Sequence, residues 1–95
     1  MTNYAAGRRK EWECRKRLAV GAQLTLRAAG SKGLVDIVSV YRGTVYLVQV
    51  KYVQRGRGWR DANWLKLLAL SLPDNVHRVA YVYRRGETEP EVHTS

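Results

Sequence analysis

The sequence predicts a small α/β domain with element order α-β-β-β-α-β and a central mixed sheet flanked by helices. Three observations predict it. Residues from about Ala5 to Val20 are rich in Arg, Lys, Glu, Ala and Leu and contain no proline. Four short apolar runs with strand character follow, separated by glycine-bearing turns. A leucine-rich segment without strand alternation lies between the third and fourth runs.

The first helix is expected to stop at Gly21. Gln23 to Ala28 alternates, with Leu24, Leu26 and Ala28 on one side and Thr25 and Arg27 on the other. "AAGSKG" is a loop by its glycine and serine content. Leu34 to Tyr41, "LVDIVSVY", is the second strand, and "RG" turns it into a hairpin with "VYLVQVKY". "VQRGRGWR" is a loop with three arginines, expected to be mobile without a ligand. Asp61 is the expected N-cap of a second helix running to about Leu72, where Pro73 stops it. His77 to Tyr83 is the fourth strand. The polar tail from about residue 86 is expected to fray, with "EVHT" as a further short edge strand.

Ninety-five residues make one domain, 1–95, and 45% hydrophobic residues with two prolines argue for a folded core. The net charge of +9 points to a polyanionic partner, nucleic acid before an anionic membrane. The single cysteine, Cys14, excludes an intrachain disulfide and a cysteine zinc cluster, which fits a reducing compartment. No apolar run is long enough to span a membrane, and the first residues lack the apolar region of a signal peptide. In the second helix, Trp64, Leu65, Leu67, Leu68, Leu70 and Leu72 are too many for one stripe. They predict a helix that packs on the sheet and on a partner subunit.

Polar residues on apolar faces carry the chemistry. In the third strand Gln49 and Lys51 share a face with Val45 and Leu47, while Tyr46, Val48, Val50 and Tyr52 line the other. A strand apolar on both sides is usually covered on both, so an amide and an amine there need a reason. In the second strand Asp36 shares a face with Leu34, Val38 and Val40, where a carboxylate is costly unless it is paired or bound. Pairing of the second and third strands brings Asp36 to the same end of the sheet as Gln49 and Lys51. In the first helix Gly7, Glu11, Cys14, Arg15 and Leu18 follow one side, with Cys14 and Leu18 as core contacts and Glu11 toward the sheet edge. Carboxylate and carbonyl oxygens suit a hard divalent cation, Mg²⁺ or Mn²⁺. Beside a basic surface such a site points to a phosphodiester.

An Asp in one strand of a hairpin followed by (Glu/Asp/Gln)-x-Lys in the next resembles the PD-(D/E)xK nuclease superfamily. Here it reads Asp36, then Gln49-Val50-Lys51. The fuller pattern "GRRKEWE…RAAGSKGLVDIVSV…VYLVQVKY" resembles archaeal-type Holliday junction resolvases, including viral relatives, over about Tyr4 to Tyr52. The resemblance implies a restriction-endonuclease-like fold and a homodimer cutting paired strands of a four-way DNA junction. It implies a catalytic set of Glu11, Asp36, Gln49, Lys51 and Ser31. Asp36, Gln49 and Glu11 would be the metal ligands and Lys51 the catalytic lysine, with Ser31 near the scissile phosphate and Arg27 on DNA. Mg²⁺ is the implied cofactor, with Mn²⁺ as substitute and no other small molecule. The implied setting is the cytoplasm of a prokaryote, or of a virus's host. Gln49 departs from the commoner Glu, which predicts weaker metal binding, and a Glu there is expected to lower the metal requirement.

The expected DNA-binding residues are Arg8, Arg9, Lys10, Arg27, Lys32, Arg55, Arg57 and Arg60. Trp59 either wedges at the centre of a junction or packs under the second helix. Two alternatives stand beside resolution of four-way junctions. One is a nuclease of the same type acting on other branched or duplex DNA, and the other is a basic DNA-binding module without catalysis.

Overall fold

The computed structural model describes residues 3–28 and 34–95. The order is helix α1 (Asn3–Ala19), strands β1 (Leu24–Arg27), β2 (Ile37–Tyr41) and β3 (Thr44–Val53), helix α2 (Ala62–Leu68), and strands β4 (Val76–Arg84) and β5 (Glu91–Thr94). The strands form one mixed sheet in the order β1-β2-β3-β4-β5. β3 and β4 are parallel and every other pair is antiparallel. A parallel pair needs a crossover connection, and α2 supplies it.

The β2–β3 hairpin turns through Arg42 and Gly43, both at positive φ, with Tyr41 opposite Thr44. Two positive φ values in a two-residue loop match the twist of the flanking strands. α1 ends at Ala19, and the turn after it passes through Gly21, the predicted stop, whose φ is +76°.

β3 is paired along both edges and covered on both faces. On one face Val48 packs with Cys14, Ile37, Val79 and Tyr83, with Leu18, Tyr46, Val50 and Tyr52 around them. α1 covers part of that face. On the other, Leu47 and Val53 pack against Trp59, Trp64, Leu67, Ala80 and Val82. The double coverage accounts for the apolar residues on both sides of "VYLVQVKY". Burial also pushes the Cys14 thiol up to about 12, marking it as a packing residue rather than a nucleophile.

Two boundaries differ from the sequence expectation. β2 begins at Ile37, so Asp36 stands just before the strand. Its backbone nonetheless bridges the sheet: its N–H donates to Val48 O and its carbonyl accepts from Ala28 N. α2 ends at Leu68 instead of running to Leu72. There Arg78 of β4 donates to the carbonyl oxygens of Leu67 (2.8 Å) and Leu70, taking acceptors that another helical turn would have used. In the tail, "EVHT" is the edge strand β5, as the sequence predicts, paired with β4. His93 of β5 stacks on Trp59 at 4.5 Å between ring centroids, and Glu91 pairs with Arg84.

Among the described residues no helix is long and apolar enough to cross a membrane. The apolar excess of α2 divides as follows. Trp64 and Leu67 are buried, while Leu65, Leu68 and, just beyond the helix, Leu70 are exposed.

Candidate active site

The site lies where β3 runs into the loop before α2. A cleft of about 370 Å³ is lined there by Leu34, Asp36, Gln49, Lys51, Asp61 and Asn63, among others. The alternation of β3 sends Leu47, Gln49, Lys51 and Val53 to the α2 face. Leu47 and Val53 fill the core and the two polar residues between them meet the cleft.

Gln49 is 2% exposed. Its Nε2 donates to the carbonyl oxygens of Leu34 (2.7 Å) and Asn63 (3.1 Å). Two carbonyl acceptors settle the orientation of the amide, because only the NH₂ end can satisfy both. The oxygen is thereby turned away from them, and Oε1 is buried with no hydrogen-bond partner. A buried orphan acceptor costs about 1–3 kcal/mol, a cost that a ligand reaching this oxygen would relieve.

Asp36 Oδ2 accepts from the backbone N–H of Val50 at 2.8 Å. Burial raises its pKa. The Val50 N–H and Lys51 pull it down, while Glu11 and Asp61 push it further up, and the net effect is a rise. A carboxylate in this state gains from a nearby cation.

Lys51 Nζ donates to Asp61 Oδ2 at 2.6 Å, and Asp61 Oδ1 accepts from Trp64 N at 2.9 Å. Asp61 is the N-cap of α2, as the sequence predicts. Burial works to raise its pKa, but the hydrogen bonds from Lys51 and Trp64 and the lysine charge outweigh that and hold it low. The second bond of Asp61, to Lys51, was not foreseen. The signal for it is a cap residue ten positions after a strand lysine, on a helix that returns over the same face.

Glu11 takes a different place. Its Oε1 accepts from Arg27 Nε at 2.8 Å. It lines a neighbouring cavity of about 130 Å³ with Arg8, Trp12, Arg15 and Arg27. Its charge still acts on Asp36. The structure therefore brings Asp36, Gln49 and Lys51 into one cleft and sets Glu11 beside it. Ser31 and Lys32 lie outside the described residues. Among the described residues no three His, Cys, Asp or Glu side chains group together. The side-chain oxygen donors of the cleft are mixed, carboxylates from Asp36 and Asp61, the latter paired with Lys51, and an amide carbonyl from Gln49.

Most of the expected DNA-binding residues that the structure describes are exposed. Arg8 and Arg9 are exposed, and Lys10 pairs with Glu13 at 3.3 Å. Arg55 stands 3.8 Å from Glu87, and Arg57 and Arg60 are exposed. Arg84 ties the intervening loop down by donating to the carbonyl oxygens of Gln54 (3.3 Å) and Arg57 (2.7 Å). Trp59 is buried, in edge contact with Trp64 at 5.2 Å, which corresponds to the packing role rather than the wedge. Comparisons with family models, curated proteins and solved structures found no match for this chain.

Proposed function

We propose that this protein is a metal-dependent endonuclease of the PD-(D/E)xK type, with a restriction-endonuclease-like fold, that resolves four-way DNA junctions. The observation that carries the reading is the buried Gln49 side chain. Its nitrogen is pinned by two backbone carbonyls and its oxygen lacks a partner, in the cleft that also holds Asp36 and Lys51.

Asp36 and Gln49 are the residues that would hold Mg²⁺ or Mn²⁺, with Glu11 the further carboxylate named by the resemblance. The orphan carbonyl and the raised pKa of Asp36 fit a hard cation with oxygen ligands. Such a metal, when bound, polarises a phosphoryl oxygen and supplies a water of lowered pKa. Lys51 brings a positive charge to the same cleft, suited to offsetting negative charge that develops on a phosphate. Arg8, Arg9, Arg27, Arg55, Arg57 and Arg60 would grip the phosphates on either side without reading base sequence.

A junction has approximate two-fold symmetry, and an isologous dimer matches it. The exposed Leu65, Leu68 and Leu70 are the surface that supports a homodimer.

The test is incubation of a labelled four-way junction with the protein and Mg²⁺ or Mn²⁺, beside linear duplex and flap substrates. Paired symmetric nicks confined to the junction support the proposal. Cutting of flaps or duplex keeps the chemistry and changes the substrate. Binding without cutting in either metal leaves a basic DNA-binding module.

A further inference from the structure

We propose that Asp61 is the positioning residue of Lys51, fixing its ammonium to the start of α2; the inference rests on the nuclease reading of the cleft.

Lysine carries its charge on a flexible four-carbon stem with three donors. Left alone, such a group samples many positions. Here Nζ lies 2.6 Å from Asp61 Oδ2 and the side chain is only 12% exposed. Asp61 is not free to turn, because Oδ1 is held by the Trp64 N–H at 2.9 Å. One carboxylate thus joins a helix cap to the lysine, and the lysine inherits the rigidity of the cap. The bond uses one of the three ammonium donors and leaves two for the cleft.

A second link runs between the same elements. Gln49 Nε2 donates to Asn63 O, so the first turn of α2 grips β3 at two residues that share a face. The N-terminus of α2 therefore sets the positions of both the amide and the amine. A half-exposed ion pair adds little to stability, and Asp61 is half exposed. What the pair does is hold the lysine in place.

The experiment separates cap from clamp. Asp61→Ser keeps a good N-cap acceptor but cannot reach Lys51, whereas Asp61→Glu keeps the carboxylate and weakens the cap. Asp61→Ser is expected to keep the melting temperature and the junction Kd of the parent while slowing single-turnover cleavage about a hundredfold, the scale of a misplaced catalytic group. Asp61→Glu should cut faster than Asp61→Ser despite its weaker cap. Parental cleavage by Asp61→Ser, or activities that follow cap strength, would overturn the proposal.

Acylation of Lys51, read by mass spectrometry without DNA or metal, is an independent measure. It should be faster in Asp61→Ser than in the parent, and equal rates would also overturn the clamp. If the parent cuts no substrate, the nuclease reading falls, while the acylation rates still decide whether Asp61 holds Lys51.

Discussion

The side-chain amide of Gln49 donates to the backbone carbonyl of Asn63 at 3.1 Å, so a residue in the middle of the sheet is tied to the first turn of α2. A glutamate at this position would match the commoner pattern of the nucleases that the sequence resembles, and from sequence that change is expected to lower the metal requirement. The structure adds a cost in stability to that change. Gln49→Glu removes two donors and sets a carboxylate oxygen against the carbonyls of Leu34 and Asn63. We expect a loss of about 2–3 kcal/mol, counting two hydrogen bonds and the repulsion that replaces them. In a domain of this length that lowers the melting temperature by roughly 10 °C or more. Added Mg²⁺ or Mn²⁺ should restore more stability to Gln49→Glu than to the parent, because the new charge has a use only when a cation is bound. Thermal melts with and without metal measure both effects.

Asp36→Asn should separate stability from activity in the opposite direction. The pKa of Asp36 is raised in the fold, chiefly by burial. A raised carboxylate favours the folded state in its protonated form, and that contribution is lost as pH rises through the folded pKa. At neutral pH the charged side chain is therefore a burden on the metal-free protein. Asparagine removes the charge and keeps an oxygen to accept the Val50 N–H. The variant is expected to melt higher than the parent at neutral pH, with the gap closing as pH falls below the usual carboxylate range. It should bind junctions and not cut them. Equal melting curves at pH 7 would show that burial costs this carboxylate nothing.

The cavity beside the cleft gives a prediction about the DNA path. Arg8, Arg15 and Arg27 line it together with Trp12, which is 52% exposed, and Lys16 lies over the Trp12 ring at 4.3 Å. Trp59 and Trp64 are buried, so Trp12 is the tryptophan that reports on the surface. Junction DNA should change the emission of the protein, and Trp12→Phe should abolish most of the change. Arg15→Ala should weaken binding to all DNA alike and lower the slope of log K against log salt by about 1, the signature of one phosphate contact.

How far the site could be read from the sequence follows from the range of each interaction. The strand period alone places Gln49 and Lys51 on one face, and hairpin pairing brings Asp36 to them; both relations are local and both hold. The clamp from Asp61 depends on how the β3–α2–β4 crossover settles on the sheet, which no period in the chain encodes. The same is true of the end of α2. The leucines continue past Leu68, but a guanidinium from β4 claims the carbonyls of Leu67 and Leu70. Glu11 was legible as a residue on the α1 stripe, whereas Arg27, on β1, was not legible as its partner. The contacts of the tail were not legible for a similar reason. The strand character of "EVHT" could be read locally, but the pairing of Glu91 with Arg84 and the stacking of His93 on Trp59 depend on elements distant in the chain.

The exposed leucines of α2 lead to the last prediction. Leu67 faces the sheet and is fully buried, so Leu67→Ala should cost about 2–5 kcal/mol and threaten the fold. Leu65 and Leu68 face outward at 57% and 37% exposure. Their replacement by lysine should alter the stability of a monomer by no more than about 0.5 kcal/mol, as for other surface changes. If the protein pairs through this face, four added charges across the interface must be desolvated without partners, and the dimer should dissociate. Sedimentation of parent and Leu65→Lys/Leu68→Lys protein at equal concentration distinguishes the cases. A dimeric parent and a folded, monomeric variant would place the interface on α2, and the variant should then nick junctions on one strand at a time instead of in pairs. A variant that sediments as a dimer would move the interface to another surface and leave the leucines without that role.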